Sequence, residues 1–149
     1  MEWTIDTNVL GLATRTDMAA VEFLSRVQRL GGHVVFDTSG YIEGEYQRCL
    51  DKAKAARKPG ADMVRVWLRE ILDKNQIRYV WGTITKKQKD ELIKLRFHDD
   101  DVPFVEACAR SLEKQLATDD SDYSEEIKKY LLSELRICAR CYKECLDGQ

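Results

Sequence analysis

Acidic side chains stand at four distant places in this 149-residue chain: Asp6 after Trp3-Thr4-Ile5, Glu45 in Ile42-Glu43-Gly44-Glu45-Tyr46, Asp99-Asp100-Asp101 before Val102-Pro103-Phe104, and Asp119, Asp120 and Asp122 after Thr118. Carboxylates gathered from separate segments repel one another and are costly to bury, so a fold that collects them usually does so to hold a divalent cation. One or two such ions polarise a phosphodiester and deprotonate a water near neutral pH. Mg²⁺ or Mn²⁺ is the expected cofactor, because either takes a few carboxylate oxygens, keeps its waters and needs no histidine or cysteine. Taken singly, each acid has a plainer reading: a helix cap for Asp6, a surface charge for Glu45, a solvated helix start for the aspartate run. Their joint placement is what points to a site.

The elements that must position these acids follow from periodicity and caps. Glu2 to Asp6 reads as a strand ending in a turn at Thr7-Asn8, and Met18 to Leu30 as a helix stopped by Gly31-Gly32. His33 to Phe36 is a second strand, and Asp37-Thr38-Ser39 caps a helix toward Ala56 that Pro59-Gly60 ends. The next helix spans Ala61 to Leu72, with Met63, Val66, Trp67 and Ile71 as its apolar stripe. Ile77 to Trp81 reads as a third strand, Thr85 opens a helix through Leu95, and the aspartate run suits the first turn of a helix carrying Phe104, Val105, Cys108, Ala109 and Leu112. Gln115 to Thr118 is a fourth strand, and residues 124–149 are expected to form a helical C-terminal extension. Strands alternating with helices predict an α/β fold of three layers, α/β/α, around a mostly parallel sheet of about four strands in one domain over residues 1–149. Ligands of such sheets bind beyond the strands' carboxyl ends.

The ordered set Asp6-Thr7-Asn8-Val9-Leu10, Glu45-Tyr46 with Leu50, Asp101-Val102-Pro103-Phe104-Val105 and Thr118-Asp119-Asp120-Ser121-Asp122-Tyr123 resembles the PIN domain, a family of small α/β/α nucleases that includes toxins of the VapC type. The resemblance runs from Trp3 to about Tyr123. It implies metal-dependent endoribonuclease activity on RNA, with Asp6, Glu45, Asp101 and Asp120 as the catalytic acids. Asp6, Asp101, Asp120 and Asp122 are implied as metal ligands, and Asn8 and Thr118 as supporting polar residues. Glu43 competes with Glu45, Asp99 and Asp100 with Asp101, and Asp119 with Asp120. The family commonly adds a short helix and a last strand after Tyr123, and no strand is evident there in this chain. An antitoxin or other protein partner and a homodimer are further expectations. A catalytically weak module that binds RNA or a protein is the alternative. A phosphatase of the haloacid dehalogenase kind would need a second aspartate where Asn8 stands.

A formal charge of −2 conceals an uneven distribution: −3 over residues 1–50, +7 over 51–97 and −6 over 98–149. Lys52, Lys54, Lys86 and Lys87, in the basic middle, are candidates for attracting a phosphate backbone; a solvated helix face is the competing reading. No apolar run reaches the roughly 18 to 20 residues of a membrane span, and the first residues lack the basic start of a secretion signal, so a cytoplasmic protein without membrane contact is expected. Five cysteines fit a reducing compartment. Cys138, Cys141 and Cys145 recur at helical spacing, which favours one packed helix face over a zinc or redox site.

Overall fold

A computed structural model describes residues 1–147. Five parallel strands, β1 (Glu2–Ile5), β2 (His33–Asp37), β3 (Ile77–Val80), β4 (Gln115–Thr118) and β5 (Cys138–Cys141), form one sheet in the order β3-β2-β1-β4-β5. Among the described residues eight α-helices surround it: α1 (Thr7–Thr14), α2 (Met18–Arg29), α3 (Tyr41–Ala55), α4 (Ala61–Asp73), α5 (Lys86–Lys94), α6 (Val102–Arg110), α7 (Glu125–Leu135) and α8 (Tyr142–Asp147). The three-layer α/β/α architecture expected from the sequence is therefore present. Parallel pairing needs a crossover between neighbouring strands, and those crossovers are what place helices on both faces. No helix among the described residues is long and apolar enough to cross a membrane.

Because it is central, β1 is buried at every residue and shows no alternation of apolar and polar positions. The larger core cluster joins Trp3, Phe23, Phe36, Tyr46, Trp67 and Tyr142, and a second joins Leu92, Phe97, Val105, Leu116, Tyr123 and Ile137. Tyr46 on α3 donates its hydroxyl to the Ile5 carbonyl at 2.5 Å, which fastens that helix to the end of β1 one residue before Asp6. Gly60, the first residue before α4, packs against the end of α1; a Cβ there would lie 2.4 Å from the Ala13 carbonyl oxygen.

Four expectations need correction. The C-terminal segment is not wholly helical: α7 stops at Leu135, Arg136 turns left-handed at φ 61°, and Cys138–Cys141 pairs with β4 as the fifth strand. A left-handed stop is usually marked by glycine, and an arginine there hides it, while cysteine spacings of three and four mimic a helix face. Thr7-Asn8 opens the helix α1 rather than a simple turn, with Asp6 as its N-cap. On α4 the buried stripe is Val64, Trp67, Leu68 and Ile71, whereas Met63 and Val66 are about half exposed. Leu112 lies past the end of α6 and is exposed.

Candidate active site

All five strands point the same way, so their carboxyl ends form one edge of the sheet. Moving along that edge in sheet order, one meets Trp81, Asp37, Asp6, Asp119 and Tyr142. The chain leaves β1 toward β2 on one side, while β4 lies on the other, so the crevice between β1 and β4 is the topological switch point at which ligands of open parallel sheets bind. Asp6 and Asp119 flank it.

Asp6 is 2% exposed. Its Oδ1 accepts from the Asn8 backbone N–H at 3.4 Å, and Thr118 Oγ1 donates to its Oδ2 at 3.2 Å. Burial, then the charge of Asp101, pushes its pKa up to about 7; Asp119 adds to the rise, and the Asn8 and Thr118 bonds oppose it. Asp101 closes a 3₁₀ turn, Asp99–Asp101, immediately before α6. Burial, followed by the charge and hydrogen bond of Asp122, raises its pKa to about 6. Tyr123, fully buried behind them, has its pKa raised by burial and then by Asp6 and Asp101. Neither the Tyr123 hydroxyl nor Thr7 Oγ1 has a hydrogen-bond partner among the described residues.

The rival acids separate clearly. Asp99 pairs with Lys89 at 3.6 Å and Asp100 is exposed beside His98, which leaves Asp101 as the member of its run nearest Asp6. Asp119 acts on Asp6 and is held by Ser121, whose N–H and hydroxyl donate to Asp119 Oδ1 at 3.1 and 2.7 Å. Asn8 Nδ2 donates in turn to Ser121 Oγ at 3.2 Å. Asp120 instead adopts a left-handed backbone, φ 69°, and turns to Lys128 Nζ at 2.6 Å on α7. The geometry thus moves the preference from Asp120 to Asp119. Glu45 faces the site, within reach of the Tyr41 hydroxyl, and pairs with Arg48 at 2.6 Å; Glu43 lies outside the groove that Glu45 lines.

Asp6, Asp101, Asp119 and Asp122 have no ion-pair partner among the described residues. Buried Asp6 and half-buried Asp101, both with raised pKa values and without an ion-pair partner among the described residues, together with orphaned hydroxyls form a hard-oxygen donor set that fits Mg²⁺ or Mn²⁺ in kind. The set is not closed: among the described residues no group of three or more His, Cys, Asp or Glu is gathered tightly enough to hold a metal ion.

A groove of about 650 Å³ runs between α1 and α3 and reaches Asp119 of this set. Glu45 and Asp119 stand at its acidic end, and Arg15, Arg48, Lys52 and Lys58 line the rest with Asn8, Thr14 and Ser121. Of the lysines expected to attract phosphate, Lys52 lies in this groove; Lys54 is exposed outside its lining, and Lys86 and Lys87 begin α5 away from it. Arg15 and Arg48 escaped the sequence reading because each stands alone in an acidic segment, with no charge run to mark it. All five cysteines are free: Cys138 and Cys141 on β5, Cys145 on α8, Cys108 buried and Cys49 at the groove wall. No family model, curated protein or solved structure matches the chain.

Proposed function

We propose that the chain is a PIN-like, metal-dependent endoribonuclease. The observation that carries the proposal is the buried, uncompensated Asp6 at the switch point of a parallel sheet, with Asp101 from the turn before α6 and Asp119 from the β4–α7 loop acting on it, and Asp122 of the same loop acting on Asp101. The fold supports the same reading, because α7 and β5 supply the short helix and last strand that the family commonly adds after Tyr123.

Asp6, Asp101, Asp119 and Asp122 would hold Mg²⁺ or Mn²⁺, with Glu45 at the groove side. The bound ion would supply a polarised phosphate and a water of lowered pKa. Around it, Thr118 fixes the carboxylate plane of Asp6, and Asn8 through Ser121 fixes Asp119. Tyr41 donates its hydroxyl to the Asp100 carbonyl at 2.9 Å, which holds the acidic turn against α3. Arg15, Arg48, Lys52 and Lys58 offset the repulsion between a phosphate backbone and the acids. An antitoxin-like partner, self-association into a dimer and a cytoplasmic setting belong to the same proposal.

The open spacing of the carboxylates favours a second reading, a binding module that holds RNA or a protein without cutting. Calorimetric titration with Mn²⁺ separates the two. The nuclease reading expects saturable binding that Asp6→Asn weakens at least tenfold; no binding by the wild type, together with intact RNA after incubation, supports the module.

A further inference from the structure

We propose that Trp81 and the cavity beside it receive an unpaired nucleobase of the strand whose phosphate lies at the acidic centre. The proposal rests on RNA being the ligand of that centre and adds where a base is held. Trp81 follows β3, the edge strand, and is 80% exposed, whereas Trp3 and Trp67 are 1% and 6% exposed. A flat apolar ring left in water at the carboxyl edge of the sheet is unusual for a residue that gains from burial, and stacking on a base covers it without regard to sequence.

The space beside the ring suits a base better than a phosphate. A cavity of about 350 Å³ is lined by Trp81, Asp37, Thr38, Ser39, Tyr41 and Glu106 among others. Burial pushes the Asp37 carboxyl up, but bonds from the Ser39 hydroxyl and the Ile42 and Tyr41 N–H groups outweigh it and keep its pKa below the usual value. Two carboxylates repel a phosphate, while hydroxyls and carboxylate oxygens can meet the polar edge of a base. Tyr41 lines this cavity and lies close to Glu45 and Asp101, so it stands between the cavity and the acidic centre. Only β2 separates β3 from β1, a displacement of roughly 10 Å that a few nucleotides span. On the far flank of Trp81, Arg78 pairs with Glu2 at 3.7 Å, and Arg110, whose guanidinium donates to the Thr83 carbonyl at 2.9 Å, supplies positive charge for the strand as it leaves.

Trp81 being the one strongly exposed tryptophan, its fluorescence reports the contact directly. Titration in EDTA with a single-stranded RNA of roughly ten nucleotides is expected to quench wild-type emission, with no quenching in Trp81→Phe, and Trp81→Ala should bind roughly tenfold or more weakly with unchanged Tm. Trp81→Phe should keep most of the affinity, since a phenyl ring still stacks. RNA binding of equal strength in wild type and Trp81→Ala, without quenching, would overturn the stacking site while leaving the acidic centre untouched; that is also the outcome if Trp81 serves a protein partner. No RNA binding by the wild type would overturn both.

Discussion

Asp6 is held under two opposing demands. It caps α1 and accepts from Thr118, which favours the carboxylate, yet burial and the neighbouring acids favour its protonated form and win, taking the pKa to about 7 from an ordinary 3.8. A folded-state value above the unfolded one means that the native state binds the proton more tightly, so this contribution to stability is present below pH 3.8 and is lost as pH rises through about 7. Asp101, raised to about 6, acts in the same direction. In EDTA, Asp6→Asn should therefore be the more stable protein at pH 8, by on the order of 1–2 kcal/mol after the loss of one accepted bond is allowed for. At pH 5 the advantage should vanish or reverse. Urea denaturation at both values checks this, and an advantage independent of pH would contradict it. The four acidic motifs were legible in the sequence, and so were the roles of Asn8 and Thr118 as neighbours of acids. Whether Asp119 or Asp120 faces Asp6 was not, because it is decided by one left-handed φ at Asp120 and by Lys128 from a helix that sequence alone cannot dock there.

Helices with strong caps were readable in advance. Asp37 before α3 and Thr85 at the start of α5 mark those starts as expected, and the structure adds the Asp17 cap of α2 and the Thr85–Gln88 capping box. The elements that escaped lack such marks: α1 is one short helix hidden behind a strand-end aspartate, and β5 is made of small and charged residues whose pairing with β4 and cover by α7 and α8 override local propensity. Packing between elements also holds the groove. Gly60 accommodates the Ala13 and Thr14 carbonyls at the end of α1, next to Arg15. Gly60→Ala must push backbone against backbone, so it should cost about 1–3 kcal/mol and lower RNA affinity along with Tm. Thermal unfolding that leaves Tm unchanged would show that the two helices can part freely.

Across the whole molecule, charge is sorted more sharply than the net value of −2 suggests. The acidic centre sits at the carboxyl edge of the sheet, and the fold gathers Lys52 and Lys58 of the basic middle with Arg15 and Arg48 of the acidic first segment into the α1–α3 groove. Lys52→Glu with Lys58→Glu should weaken RNA binding and reduce the slope of log affinity against log salt by roughly 1 to 2, while Lys86→Glu with Lys87→Glu leaves both unchanged. Equal effects from the two pairs would mean that the groove has no privileged part in guiding the strand. The most direct test of the central claim, that buried Asp6 and the acids around it hold a divalent ion for phosphodiester hydrolysis, is the single-turnover cleavage rate of a single-stranded RNA with Mn²⁺, compared between wild type and Asp6→Asn. We expect cleavage that EDTA stops and that Asp6→Asn lowers by roughly a hundredfold or more. Cleavage at the wild-type rate in Asp6→Asn, or none by the wild type with Mn²⁺ or Mg²⁺, would contradict it.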